Sequence, residues 1–276
     1  MIQDIYPHRL NNAFEPDAHP GPDSPVFHFV KDELISAPGL RLPTAADYGP
    51  QALLRFLFRL DGTAFYYQAG PEEAPPEGFS GVALRGLREE RPEPDPLIFA
   101  AYTALHLHKW YGDTRFCGCC GAPTVPSAEE RAMDCPRCGR RFYPRINPAV
   151  IVGVTNGDRL LLTRYAGRSV TWHALVAGFV EIGETLEETI AREVMEETGL
   201  SVKNIRYYKS QPWGIAADIL SGFWCDVDGP DEIRMDKSEL KEALWVPRDE
   251  ITGQPNNYSL TNEMMLRFRD GLETRA

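Results

Sequence analysis

The sequence predicts an α+β fold in which a mixed β-sheet is sandwiched by helices, preceded by a small cysteine-bearing ribbon and a strand-rich N-terminal region. Three observations carry this reading. Apolar stretches before residue 96 are cut by proline and glycine, two CxxC pairs occupy residues 117–138, and beyond residue 146 strand-like runs alternate with helical spacing. The corresponding domain boundaries are 1–96, 97–145 and 146–276.

In the first segment VFHFV, ALLRFLFRL and TAFYYQ read as strands punctuated by turns such as HPGP, and no catalytic signature appears among them. EERPEPDP, Glu89 to Pro96, is too proline-rich for a helix and reads as a linker. Residues Leu97 to Tyr111 then place Ile98, Tyr102 and Leu105 on one helical face, and His106 and His108 in this stretch read as packing residues rather than ligands. PAVIVGVT and RLLLTRY flank Asn156-Gly157-Asp158, a strong hairpin signal. HALVAGFV is a further strand, Thr185 to Thr198 a helix stopped by Gly199, and VKNIRYYKSQ and ILSGFWCDV are strands. SELKEAL reads as a helix, and LTNEMMLRF as a closing amphipathic one.

Hydrophobic residues make up 43% and charged residues 25%, ordinary globular values. No run approaches the roughly 18 apolar residues of a bilayer span. MIQDIYPHRLNN holds no apolar signal region, so a cytoplasmic location and no membrane partner are expected. The net charge of −11 opposes long-range capture of nucleic acid. An acidic chain that handles a phosphorylated ligand needs bound cations or clustered arginines.

Cys117-Gly-Cys-Cys120-Gly and Cys135-Pro-Arg-Cys138-Gly stand fourteen residues apart, a spacing that suits tetrahedral zinc. The glycine after each pair lets backbone amides turn toward thiolate sulfur. Four thiolates leave no open position for an activated water, so the expected role is structural, with nucleic-acid binding the competing one. Cys119 falls outside the paired spacing, and Cys225 in a strand-like run reads as a buried small hydrophobe.

Residues 178–200 read GFVEIGETLEETIAREVMEETGL. Glu193, Glu196 and Glu197 fall at i, i+3 and i+4, three carboxylates on one helical stripe. They lie in the last turns before Gly199, where the helix dipole is already negative, so divalent cations are the natural compensation. Arg192 stands four residues before Glu196 and four after Glu188, placed to brace this acidic ladder.

Gly178, five residues, Glu184, seven residues, then Arg192-Glu193-Val194-Met195-Glu196-Glu197-Thr198-Gly199-Leu200 match the Nudix signature at each specified position. With the four-cysteine ribbon upstream, Phe142-Tyr143-Pro144, AGFVE at 177–181 and Ser210-Gln211-Pro212-Trp213, the chain resembles the NADH pyrophosphatases of the Nudix hydrolase superfamily over about residues 97–250. The resemblance implies magnesium or manganese on Glu193, Glu196 and Glu197, with a further acidic ligand at Glu239 or, with a shifted alignment, at Glu242. It implies Glu197 as the base and Arg192 as the residue that orients the catalytic carboxylates. Substrate contacts are implied for Tyr143, Ala177, Phe179, Gln211, Pro212, Trp213 and Asp218. The family's run after Trp213 is Pro-Phe-Pro, one variable residue and a hydroxyl residue; here it is Gly214-Ile-Ala-Ala-Asp218, with Asp218 at the hydroxyl position.

The expected function is hydrolysis of the pyrophosphate bond of NADH or NAD to nicotinamide mononucleotide and AMP, with NAD-capped RNA ends as a further substrate and a homodimer as the working form. Two readings compete with it: a Nudix hydrolase of another nucleoside diphosphate derivative, such as ADP-ribose or a dinucleoside polyphosphate, and a non-catalytic nucleotide sensor.

Overall fold

The computed structural model describes residues 1–70, 74–167 and 171–274. The chain folds into two compact units, one comprising residues 3–145 and 214–217 and the other residues 1–2, 146–213 and 218–276.

The first unit holds the short strands β1 (Leu10–Asn11), β2 (Val26–Phe27), β3 (Phe29–Val30) and β4 (Glu33–Ser36), the longer pair β5 (Leu54–Leu60) and β6 (Thr63–Gln68), and β7 (Ser80–Val82). They form a four-stranded sheet in the order β1-β5-β6-β2 and a three-stranded sheet in the order β3-β4-β7. The apolar alternation of β5 and β6 buries Phe56, Phe58, Phe65 and Tyr66. Helix α1 (Leu84–Glu90) follows, so Glu89 and Glu90, read from the sequence as linker, close a short helix that ends before Pro92.

Helix α2 (Pro96–Asp113) starts where its sequence says it should: Pro96 is in the first turn, and the Asp95 carboxylate accepts from the amides of Leu97 and Ile98 at 2.8 and 3.1 Å. Ile98, Tyr102 and Leu105 are buried as the spacing required. His106 bonds the Arg145 carbonyl oxygen and His108 the Tyr67 hydroxyl, so both serve packing. The ribbon strands β8 (Val125–Pro126), β9 (Met133–Asp134) and β10 (Arg141–Phe142) pair in the order β10-β9-β8.

The second unit is built on a six-stranded mixed sheet: β11 (Asn147–Asn156), β12 (Arg159–Tyr165), β13 (Val176–Phe179), β14 (Val202–Trp213), β15 (Asp218–Val227) and β16 (Leu240–Pro247). Its order is β14-β15-β11-β12-β16, with β13 also paired to β11. β11 and β12 form the hairpin signalled by Asn156-Gly157, Gly157 taking a φ of 58°. β11 runs parallel to β15, the one parallel pairing in this sheet among the described residues, and both are near-continuous apolar runs because each is covered on both faces. Helix α3 (Leu186–Thr198) lays Ile190 and Val194 on Val150, Val152 and Val176. Helix α4 (Leu260–Arg269) lays Leu260, Met264, Met265 and Phe268 on Trp224 and Leu162 across the sheet. Sheet between helices is the predicted α+β arrangement.

SELKEAL corrects an expectation. It begins in a turn, and from Leu240 it is strand β16, antiparallel to β12. Glu, Lys, Leu and Ala favour a helix locally, but the following Trp245 and Val246 and the open edge of β12 recruit the run into the sheet.

Candidate active site

Helix α3 is framed by its own sequence. Thr185 and Glu188 form a reciprocal capping box, in which the Thr185 Oγ accepts from the Glu188 N–H at 3.2 Å and the Glu188 carboxylate accepts from the Thr185 N–H at 2.8 Å. Gly199 ends the helix at φ 71°, the left-handed cap that glycine adopts without cost, and its N–H returns to the Met195 carbonyl at 2.9 Å. The acidic stripe is thereby fixed at the helix's C-terminal end, beside β13.

Arg192 collects the carboxylates. Its Nε and Nη2 donate to the two oxygens of Glu184 at 2.7 and 2.9 Å, a bidentate fork. Its Nη1 donates to Glu193 at 2.8 Å and to Glu196 at 3.0 Å, and Nη2 also reaches the Phe179 carbonyl at 3.1 Å. The expected brace to Glu188 is not made, because the capping box already holds that side chain. Glu184 takes its place, and the hydrogen bonds from Arg192 hold its carboxyl down to about 2, against some desolvation. Sequence reasoning left Glu184 without a role although it is a fixed position of the signature.

Glu193 lies under β13. An added Cβ at Gly178 would fall on the Glu193 carboxyl, so the signature's first glycine is a cradle for its fifteenth-following glutamate. Burial pushes the Glu193 carboxyl up, Arg192 opposes the shift, and the charges of Glu196 and Glu239 add to it. The charge of Glu239 is thus felt at the acidic stripe. Glu242 is engaged elsewhere: Arg164 pairs with it at 2.6 Å and His173 at 3.2 Å, and the Arg164 hydrogen bond lowers its pKa. Glu197 is 2% exposed and approaches the Tyr165 hydroxyl at 3.4 Å.

Three carboxylates on a single arginine, with Glu197 on the same helical stripe, are a donor set that fits a hard divalent cation, and burial raises the pKa of one of them, Glu193. Their oxygens here are turned to Arg192 and Tyr165. Among the described residues, the His, Cys, Asp and Glu ligand atoms that close to within 4.8 Å of one another in a group of three or more are those of Cys117, Cys120, Cys135 and Cys138.

In the ribbon, Cys117 and Cys138 sulfurs stand 3.6 Å apart, and Cys120 and Cys135 sulfurs 3.5 Å. A tetrahedron with Zn–S bonds of about 2.3 Å has edges of about 3.8 Å. Gly121 and Gly139, after each pair, adopt φ of 70° and 73°, the turn the spacing required. The Cys120 and Cys119 amides, against burial, pull the Cys117 thiol down to about 6, the form that binds metal. Cys119 is exposed and Cys225 fully buried. The four sulfurs are gathered as a structural zinc site requires.

The expected substrate residues are placed as follows. Ala177 and Phe179 are on β13, Phe179 with 52% of its surface exposed. Gln211 is fully buried: its Nε2 donates to the Tyr258 carbonyl at 2.7 Å and its Oε1 accepts from the Leu260 amide at 2.8 Å. Both polar ends are thus engaged in joining β14 to the start of α4. Pro212 is exposed and Trp213 half-buried at the end of β14. Asp218 opens β15 opposite Trp213 and beside Asn147; it is 7% exposed, and burial pushes its carboxyl up to about 6. In the other unit, Tyr143 is 57% exposed and donates to Glu130 at 2.9 Å. It lines a cavity of about 610 Å³ with Lys109, Arg141, Arg145 and residues 215–217.

Comparison with known proteins places a NUDIX domain over residues 145–267 and an NADH pyrophosphatase zinc ribbon domain over residues 113–143. A proteins' class follows from the fold and the box together: this is a Nudix-domain chain. Its ribbon is matched as the zinc ribbon domain of the NADH pyrophosphatases. The chain is 44% identical over 155 residues to proteins named NAD-capped RNA hydrolase NudC from Salmonella heidelberg (strain SL476) and from Citrobacter koseri. The match covers 56% of this chain and 60% of each relative. Among solved structures, a NUDIX hydrolase from Nitrosomonas europaea superposes with a TM-score of 0.49 at 21% identity, covering 56% of this chain and 90% of its own. Among the described residues no helix is long and apolar enough to cross a membrane.

Proposed function

We propose that this chain hydrolyses the pyrophosphate bond of NADH or NAD to nicotinamide mononucleotide and AMP, and removes NAD caps from RNA ends. The observation that carries the reading is the pairing of an intact box, its carboxylates gathered by Arg192, with the zinc ribbon of the NADH pyrophosphatase family. The relatives' printed name, NAD-capped RNA hydrolase, supports the RNA arm.

Glu193, Glu196 and Glu197 would hold magnesium or manganese, with Glu239 as a further acidic ligand. When bound, the cation neutralises pyrophosphate charge and acidifies water. Glu197 accepts the proton of the attacking water from its buried position at the end of α3. Arg192 fixes the directions of Glu193 and Glu196 and is itself locked by Glu184. Phe179 offers an exposed ring for stacking on a base or nicotinamide, and Ala177, Pro212, Trp213, Asp218 and Tyr143 complete the proposed contacts. Gln211 acts by holding the end of β14, at Pro212 and Trp213, to the start of α4. The working form is a cytoplasmic homodimer, for which light scattering at catalytic concentration is the direct test.

The domain boundaries at residues 96 and 145 are proposed from the order of segments along the chain, with the helix and ribbon following the strand-rich segment and preceding the catalytic sheet in sequence.

A second reading, another nucleoside diphosphate derivative as substrate, is favoured by one feature. Gly214 is tucked so close to the Tyr102 carbonyl that a Cβ there would collide with it, and Ile215, Ala216 and Ala217 line the cavity with Tyr143 where the family carries a stiff aromatic run. Purified protein with manganese, incubated with NADH, NAD, ADP-ribose, diadenosine polyphosphates and NAD-capped RNA, separates the two. AMP released fastest from NADH or NAD supports the first. Faster cleavage of ADP-ribose supports the second, and no release from any substrate rejects both in favour of a sensor.

A further inference from the structure

Tyr165 ends β12, next to a register irregularity between Arg164 and Tyr165. Its hydroxyl accepts a hydrogen bond from the Ala177 N–H at 3.0 Å. Three acceptors stand at 3.4 Å from the same oxygen: the carbonyls of Leu175 and Ala177 and the carboxylate oxygen Oε1 of Glu197. A hydroxyl has a single proton to give. A carboxylate is the stronger acceptor, and this one is 2% exposed in the last turn of α3, where the helix dipole disfavours its charge.

We infer that Tyr165 is a positioning residue that directs the Glu197 carboxylate by donating its hydroxyl proton to Oε1. The inference rests on Glu197 as a working carboxylate of the proposed site and adds the residue that aims it. The same oxygen takes the β13 amide of Ala177, so one hydroxyl ties the strand bearing Ala177, Gly178 and Phe179 to the helix bearing Glu197. Helix and strand also meet through apolar side chains and through Arg192, which reaches the Phe179 carbonyl, and these contacts set the distance between the elements rather than the direction of the Glu197 carboxylate. The hydroxyl bears on that direction, which matters where a shift of about 1 Å costs about a hundredfold in rate.

Tyr165→Phe keeps the ring and loses the oxygen. The full chain, loaded with zinc, is titrated with manganese and the free ion counted by electron paramagnetic resonance, for the wild type, Tyr165→Phe, Glu197→Gln and the double variant. Tyr165→Phe is expected to weaken manganese binding about tenfold and to lower kcat about tenfold to a hundredfold, the range of one charge-assisted hydrogen bond, with KM within about twofold. In the Glu197→Gln background it is expected to change manganese binding no further, because it acts through that carboxylate. Effects of Tyr165→Phe that add in full to those of Glu197→Gln overturn the inference, as do kcat and manganese affinity within about twofold of wild type. Manganese binding that follows the expected pattern in a chain that releases no AMP from NADH leaves Tyr165 assigned and removes only the dinucleotide reading.

Discussion

The carboxyl of Glu193 rests in the space that a side chain at Gly178 would fill. This one relationship links the first residue of the box to its acidic stripe, and it makes the glycine a packing requirement.

Gly178→Ala is therefore expected to expel Glu193 from its seat. Turnover should fall by about a hundredfold or more, the cost of a displacement near 1 Å at a reacting group, with a stability loss of about 1–3 kcal/mol from overpacking. Steady-state kinetics and thermal unfolding on the same preparation check both.

Glu197→Gln removes the proposed base while conserving shape. Turnover should drop by about two to four orders of magnitude, the usual range for a general base, with the circular dichroism spectrum unchanged. Turnover near the wild-type rate would reject Glu197 as base.

Arg192→Lys keeps the charge and loses the fork. Lysine is a point donor and cannot hold both Glu184 oxygens while reaching Glu193 and Glu196. Turnover is expected to fall about tenfold to a hundredfold, and Arg192→Lys should be no better than Arg192→Gln at positioning if the fork is what counts. Comparison of the two variants measures it.

Asp218 gives a pH signature. Its carboxyl rises from an ordinary 3.8 to about 6 in the fold, so between these values the folded state binds more protons than the unfolded one, and stability falls as pH rises through that window. Above about pH 6 the buried carboxylate costs on the order of 1–3 kcal/mol. Asp218→Asn should then raise the unfolding free energy at pH 8 and lose that advantage below about pH 4. Denaturant melts at the two pH values decide the matter.

Cys135→Ser should abolish stoichiometric zinc, measured by metal analysis, and unfold the ribbon strands, because four-thiolate sites contribute their binding energy to folding. Retained zinc would show that three cysteines suffice.

The box and the ribbon were legible because each fixes several residue types at set intervals, and such chemistry admits few substitutes. The frame of α3 was legible in Thr185 and Gly199. What escaped was competition between neighbours. Arg192 looks equally able to reach Glu188 or Glu184 until Thr185 and Glu188 are recognised as a capping box, a signal present in the sequence as T-x-x-E. SELKEAL has helical composition, and only the unfilled edge of β12 turns Leu240–Pro247 into strand. No local pattern marks Tyr165 either, since its partners Ala177 and Glu197 come from a strand and a helix that meet only in the fold. The pairing of Glu242 with Arg164 and His173 is of the same kind, joining residues that no local pattern connects.

Gln211 holds the Tyr258 carbonyl with one end and the Leu260 amide with the other. The Ser-Gln-Pro-Trp run that reads as a ligand fingerprint is therefore in part a splice between a strand and a helix. In this chain the run is a joint, whatever molecule lies beside it. Exchanging residues 214–218 between relatives should then move substrate preference without disturbing the joint, which makes this stretch the natural cassette for redesign.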